Sequence, residues 1–430
     1  MKAKFYRVVF LLGFLAGSFS HIFGQTGAIV ITVELAESAA EINPYVFGIN
    51  HGPWSEVSLD MQEEAREVGF TFLRWPGGNW GDRFNLTKPQ IDLFMIQARN
   101  WNAEPSIHVR LEGGTPEQAA ELVRYTNIEK EYGVRYWYIG NEPNLFDEYT
   151  LEQFIADWQA FAVAMREVDP EILLIGPEIS QFPDAPDDYH HYLRDEWLQQ
   201  FLLANGDFVD IVSVHRYPFP LQMAGDPTTI AQMRENVPRW RTLVGYLRET
   251  IQETTGHELP IAITEVNSHW SNSGGGIASP DSYYNAIWWS GVLTTLVNEQ
   301  VDIVTYWLLS SVGSNGAFGI LDRYNPRPTY YTYQLYKDFG LTRLVSASSD
   351  PYITVLASRR DDGAVTIVVT NLYEEDVSIQ LDLQGINDES LQEARLLAPD
   401  RMAEIVDVED YFDGSSLNLP GQSAMRLVLK

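Results

Sequence analysis

Between residues 44 and 335 the chain alternates short apolar runs with longer stretches whose apolar residues recur three and four apart. The short runs are Val46–Ile49, Phe70–Leu73, Ser106–Val109, Tyr136–Ile139, Ile172–Ile175, Ile211–Val214, Ile261–Thr264 and Ile303–Tyr306. Most are rich in β-branched and aromatic residues, as expected of a strand covered on both faces. The intervening stretches read as helices. Thr115-Pro116-Glu117-Gln118 is a helix start, followed by Ala119, Leu122 and Val123 at helical spacing up to Tyr132. Leu151–Val168 reads the same way, as does Ile230–Thr255, where Pro238 should kink or restart the helix. Strand and helix repeated eight times predict an α/β chain folded as a (β/α)₈ TIM barrel. An open doubly wound sheet fits less well, since no Gly-x-Gly-x-x-Gly turn follows the first run.

Past Tyr336 the period shortens to two. Tyr352–Ser358, Val365–Thr370 and Val377–Leu383 alternate as strands, with Asp361-Asp362-Gly363 as a hairpin turn between the first two. The last run, Ala424–Leu429, closes an antiparallel β-sandwich over residues 336–430. An early strand, Ala28–Val33, within residues 25–43, has no helix behind it and is expected to join that C-terminal sheet. Residues 1–24 have a different texture: Lys2, Lys4 and Arg7 precede the apolar stretch Val8–Gly17, and small and polar residues follow. This is the plan of a signal peptide, and the apolar stretch is too short for a membrane span. A secreted or periplasmic bacterial protein is the expectation, with no span in the mature chain.

Composition narrows the chemistry. The 430 residues include no cysteine, which removes disulfides, zinc-thiolate sites and thiol nucleophiles. Lys and Arg number 29 against 59 Asp and Glu, a formal net charge of −30. Such a chain lacks the clustered cation that nucleic acid requires.

In a barrel of this kind the working residues lie just past the C-terminal ends of the strands. There the sequence places Asn50 and His51, Arg74 and Trp75, Glu112, Asn141 and Glu142, Glu178, His215 and Tyr217, Glu265, and Trp307. Four are glutamates. Paired carboxyl groups in one cleft, one protonated and one ionised, are the equipment of glycoside hydrolysis. Trp54, Trp75, Trp80, Trp101 and Trp270 lie in or near the same loops and suit the apolar faces of sugar rings, although each alone reads equally well as core. His190-His191 with Asp187 and Asp188 fits no standard metal spacing and reads as a solvated loop. His51 and His108 read as hydrogen-bonding groups in the cleft. No metal and no cofactor is expected.

Ile139-Gly140-Asn141-Glu142-Pro143 and Thr264-Glu265 resemble the two catalytic signatures of glycoside hydrolase clan A, the retaining (β/α)₈-barrel glycosidases. Leu73-Arg74-Trp75-Pro76-Gly77-Gly78-Asn79 resembles the strand-two segment of the α-L-arabinofuranosidase and related endoglucanase branches, whose layout of leading strand, barrel and trailing sandwich is similar too. The resemblance implies that Glu142 is the general acid/base and Glu265 the nucleophile. It implies that Asn141 holds the sugar 2-hydroxyl, that Arg74 keeps Glu265 ionised, and that Tyr217, beside His215, contacts the nucleophile. Trp307 would floor the sugar subsite. Asn79, Trp54, Trp270 and Glu178 complete the expected substrate-binding set.

The expected function is a secreted retaining glycosidase acting on plant or algal polysaccharides or oligosaccharides, arabinofuranosidase-like or endoglucanase-like. Two alternatives use the same barrel. A non-catalytic glycan-binding protein is disfavoured by the intact Glu142/Glu265 pair. A transglycosylase would keep every residue and differ only in the acceptor.

Overall fold

A computed structural model of the protein describes residues 28–219, 227–271, 274–311, 316–385 and 390–430. The leader expected at residues 1–24 lies outside them. Eight parallel strands close a barrel in chain order: β2 (Gly48–Asn50), β3 (Phe72–Trp75), β4 (Glu104–Val109), β5 (Tyr136–Ile139), β6 (Leu173–Ile179), β7 (Ile211–Arg216), β8 (Ile261–Val266) and β9 (Ile303–Tyr306). The seam is made by β2, which pairs with β3 on one side and β9 on the other. All eight strands fall on or beside the predicted runs. The first is displaced. Pro44–Phe47 forms a 3₁₀ turn, because the Asn43 side chain accepts from the Tyr45 amide at 3.0 Å and Pro44 presets φ, leaving only Gly48–Asn50 as strand.

The helices follow their sequence signals. Thr115 caps the helix Pro116–Val123 with Gln118 returning the bond, and Thr150 and Gln153 do the same for Leu151–Val168. Pro238 interrupts its helix as expected, dividing it into Ile230–Asn236 and Arg239–Thr255.

The remaining strands form one nine-stranded sheet. They are β1 (Ile29–Glu41), β10 (Thr342–Ser348), β11 (Ile353–Arg359), β12 (Val365–Asn371), β13 (Val377–Gln384), β14 (Leu391–Ala398), β15 (Arg401–Val406), β16 (Ser416–Leu419) and β17 (Ser423–Leu429), in the order β15-β14-β17-β12-β11-β10-β1-β13-β16. The sheet curls on itself. Ile31 and Val33 of β1 share a core with Val355 and Ile367 from its middle, Leu396 near one edge and Leu417 at the other. A sandwich core therefore forms within a single continuous sheet. The early strand does enter it, antiparallel to β10 but parallel to β13, so the sheet is not wholly antiparallel. The helix Tyr283–Asn298 sits between barrel and sheet and is apolar on nearly every side. Its Tyr284 hydroxyl donates to the Leu372 carbonyl at 2.8 Å, and its Tyr283 hydroxyl donates to the Gln422 carbonyl at 2.6 Å. No described helix is long and apolar enough to cross a membrane.

Candidate active site

The C-terminal ends of the barrel strands surround a cleft of about 830 Å³ lined by Asn79, Glu142, Tyr217, Glu265, Trp270 and Trp307, together with Leu145, Ser180, Gln181, Asp188, His190 and Arg216. Glu142 follows β5 in the left-handed region, at φ 51° and ψ 51°. Gly140, at φ 79°, makes the turn that delivers it; a Cβ there would meet Leu111 Cδ2 at 2.7 Å. Glu178 is also left-handed, at φ 60°, and its carbonyl accepts from the Glu142 amide at 3.0 Å, so the two strained glutamates are tied by their backbones.

Register shifts near the ends of β6, β7 and β8 break the ordinary in–out alternation. In β8 this lets consecutive residues act on one cluster: Thr264 donates to Glu178 Oε1 at 2.6 Å, while Glu265 accepts from Arg74.

Arg74 organises the floor. It is fully buried; Nη1 donates to Asn50 Oδ1 and Glu265 Oε1, both at 2.9 Å, and Nη2 donates to Asn141 Oδ1 at 2.8 Å and to Glu178 Oε2. The Tyr217 hydroxyl donates to the other oxygen of Glu265 at 2.6 Å. Burial and the neighbouring carboxylates push that phenol well above its ordinary pKa, so it remains a donor. His215 presents Nδ1 to Glu142 Oε1 at 3.1 Å and Nε2 to Glu178 Oε2 at 3.2 Å. A carboxylate oxygen of Glu142, one of Glu265 and a ring nitrogen of His215 all lie within 4.8 Å of one another.

Arg74 does favour the ionised form of Glu265, as expected, but burial outweighs it. Burial raises the Glu265 carboxyl above its ordinary value; His215 and Arg74 oppose that rise without reversing it, and Glu142 adds to it. The carboxylate driven down is Glu178. Burial works against its charge, but Arg74 and His215 outweigh burial and bring it to about 2.

Several predicted substrate contacts stand elsewhere. Glu178 is sealed beneath the cleft, its oxygens engaged by Arg74, His215 and Thr264, and so cannot reach a sugar. Arg74 and His215 are likewise behind the reacting face rather than on it. The Asn141 carboxamide is buried; its Nδ2 donates to Asn79 Oδ1 at 3.0 Å, and Asn79 reaches the cleft. Trp307 floors the cleft, with Trp54 stacked on it at 5.9 Å and Trp80 on Trp54 at 6.4 Å. Trp270 is 48% exposed on the cleft wall. Trp75 and Trp101 belong to the core, and Trp75 stacks on Phe94 at 4.4 Å. His51 and His108 are buried outside the cleft, and burial lowers His51 to about 4. Glu112 is exposed and takes no part.

Two groups escaped the sequence reading. Asp82 is buried and collects backbone donors from neighbouring loops, accepting from Asn141 N at 2.7 Å and Leu111 N at 2.9 Å. Its only signal was its position three residues past the Gly-Gly-Asn segment. Asp188, read as part of a solvated loop, pairs with Arg216 at 2.9 Å, and both line the cleft. Arg216 lies between the predicted residues His215 and Tyr217, but its partner is distant in sequence.

Comparison with known proteins fits this geometry. A β-xylosidase from Caldicellulosiruptor saccharolyticus is 26% identical over 278 residues, 58% of this chain and 51% of that protein. The chain thus spans about half the length of this curated relative. An α-L-arabinofuranosidase C from Emericella nidulans is 20% identical over 76% of this chain and 77% of its own. Among solved structures, the α-L-arabinofuranosidase from Thermotoga maritima superposes with a TM-score of 0.73 at 17% identity, covering 93% of this chain and 99% of that one. CelM2, a bifunctional glucanase-xylanase from a metagenome library, superposes with a TM-score of 0.70 at 16% identity, covering 94% and 99%. The barrel-plus-sheet layout is therefore that of the clan A branches the motifs resemble. The sequence match itself falls to another branch of that clan: residues 121–380, more than half of the chain, match the description Glycosyl hydrolases family 39, and the protein belongs to that family.

Proposed function

We propose that the protein is a retaining glycoside hydrolase that cleaves pentosides, β-D-xylosides or α-L-arabinofuranosides, in plant or algal polysaccharides or oligosaccharides, and that it acts after export. The observation that carries this reading is the approach of Glu142 and Glu265 to within 4.8 Å at the top of the barrel. That distance suits direct attack by a carboxylate; an inverting pair stands roughly 6.5–9.5 Å apart to admit a water. The names of the curated relatives support a pentose substrate.

In the first step Glu265 attacks the anomeric carbon while Glu142 gives its proton to the leaving oxygen. In the second, Glu142 takes a proton from water, and that water releases the sugar from Glu265. Arg74 and Tyr217 each hold one Glu265 oxygen, so the nucleophile is aimed before substrate arrives. The stacked Trp307, Trp54 and Trp80 present an apolar wall to a ring face.

The test is the anomeric configuration of the first product. Proton NMR of a reaction on 4-nitrophenyl β-D-xyloside and its α-L-arabinofuranoside counterpart should show the substrate configuration appearing first and the other only by mutarotation. Initial release of the opposite anomer would overturn the double displacement, and no turnover of either pentoside would overturn the substrate class.

A further inference from the structure

A third carboxylate lies directly beneath the reacting pair and is shut off from substrate. Glu178 has no exposed surface. Its Oε1 accepts from Thr264, its Oε2 meets Arg74 and His215, and its backbone amide donates to Ser213 Oγ at 3.1 Å. A buried carboxylate held this closely is costly unless paired, and here both of its cationic partners also touch the reacting groups. Arg74 reaches on to Glu265 and His215 reaches on to Glu142.

We propose that Glu178 is a positioning residue whose buried carboxylate holds His215 doubly protonated and aimed at Glu142, while fixing the Arg74 guanidinium against Glu265. The inference rests on the reading of Glu142 and Glu265 as the reacting pair. A neutral imidazole has one N–H, and His215 faces a carboxylate oxygen at each nitrogen. Whenever Glu142 is ionised, one of the two contacts would then set a lone pair against an anion; two N–H groups satisfy both. The charged groups facing His215 are Glu142 from the loop after β5, Glu178 from β6 and Glu265 from β8 at 3.8 Å, with Arg74 of β3 beyond them and the Tyr217 phenol beside Glu265. Burial opposes a cation here, but Glu265, Glu142 and Glu178 overcome it and raise His215 to about 9.

Turnover explains why the third carboxylate is needed. When Glu265 is esterified in the glycosyl-enzyme it loses its negative charge, and Glu142 alternates between acid and base. Glu178 alone keeps its charge throughout, because no reacting atom reaches it. It therefore keeps His215 a two-fold donor at the stage when Glu142 must act as a base.

The experiment is a nitrogen-15 NMR titration of the histidine side chains in the whole chain, with the His215 signal assigned by its loss in His215→Asn. In the wild-type protein His215 should stay doubly protonated through neutral pH and titrate near 9. In Glu178→Gln its midpoint should fall by at least about one pH unit, tenfold in proton affinity. A wild-type midpoint at or below the ordinary value of about 6.5 overturns the proposal with no variant required, should Glu178→Gln fail to fold. An unmoved midpoint in a folded Glu178→Gln overturns it as well, and leaves the glycosidase reading standing if that reading's own assay shows turnover. The expected shift in a protein that cleaves no glycoside would do the reverse.

Discussion

At the scale of single residues the site is an accounting of charge. Arg74 and His215 are set against Glu178 and Glu265, which leaves Glu142 free to carry a proton without unbalancing the cluster. The two reacting glutamates differ in setting: Glu265 is buried and gripped at both oxygens, whereas Glu142 is partly exposed, at 13%, and held by His215 at one. This asymmetry predicts distinct variants. Glu265→Ala should lose activity by roughly four orders of magnitude on every substrate, about 5.4 kcal/mol of transition-state stabilisation. Glu142→Ala should keep the first step on activated aryl glycosides, accumulate the glycosyl-enzyme and recover turnover when azide is added. Steady-state rates on a 2,4-dinitrophenyl glycoside check both; equal losses with no azide rescue would reverse or void the assignment.

At the scale of elements, the site depends on where short segments bend. The motif Arg74–Asn79 runs from β3 under the indole of Trp307. Gly78 sits there at φ 68°, and a Cβ on it would lie 2.5 Å from Trp307 Cη2. Gly78→Ala should therefore add left-handed strain of about 1–2 kcal/mol and also displace the floor of the cleft. Gly133, at φ 69° with nothing within 4 Å, supplies the comparison, since alanine there meets strain alone. Both variants should melt earlier, but only Gly78→Ala should lower kcat/KM, by about tenfold or more. Equal activity in the two variants would mean that Gly78 does not set the indole. Strands buried on both faces and capped helices are legible in the sequence, where local signals and tertiary need coincide. Four strands of the sheet, β10, β14, β15 and β16, are not, and β14 and β16 show why. Leu391–Ala398 mixes charged and apolar residues without clean alternation, and Ser416–Leu419 is only four residues long; both become strands because neighbours such as β17 and β13 offer hydrogen-bond partners.

For the whole molecule, the barrel and the curled sheet share one core, which takes in Leu356, Val368 and Ala424 of the sheet, and the helix Tyr283–Asn298 between them has no exposed residue. Ser290 meets Thr370 at 2.8 Å across the same junction. Calorimetry of the full chain should give a single unfolding transition, and a chain ending at Phe339 should be insoluble or molten, since it uncovers that helix and strands β1 without its partners β10 and β13. Two well-separated transitions, or a soluble and cooperative truncated barrel, would contradict this coupling.

The sequence by itself determined the repeating pattern, and with it the barrel, the strand ends and the placement of Glu142 and Glu265 at its mouth. Those properties follow from local period, from Gly and Pro at turns, and from the rule that places loop residues at one end of parallel strands. Which polar residues meet was decided only in three dimensions. Glu178 and Glu142 each stand three residues past a predicted apolar run, yet Glu178 lies within β6 and is sealed under the cleft while Glu142 follows β5 and opens onto it, because a register shift in β6 and the grip of Arg74, Thr264 and His215 turn Glu178 inward. Trp75 and Trp270 look alike in sequence too, but the first is stacked on Phe94 in the core and the second stands on the cleft wall. Burial, and therefore protonation and role, depends on neighbours brought from distant strands, which no local pattern encodes.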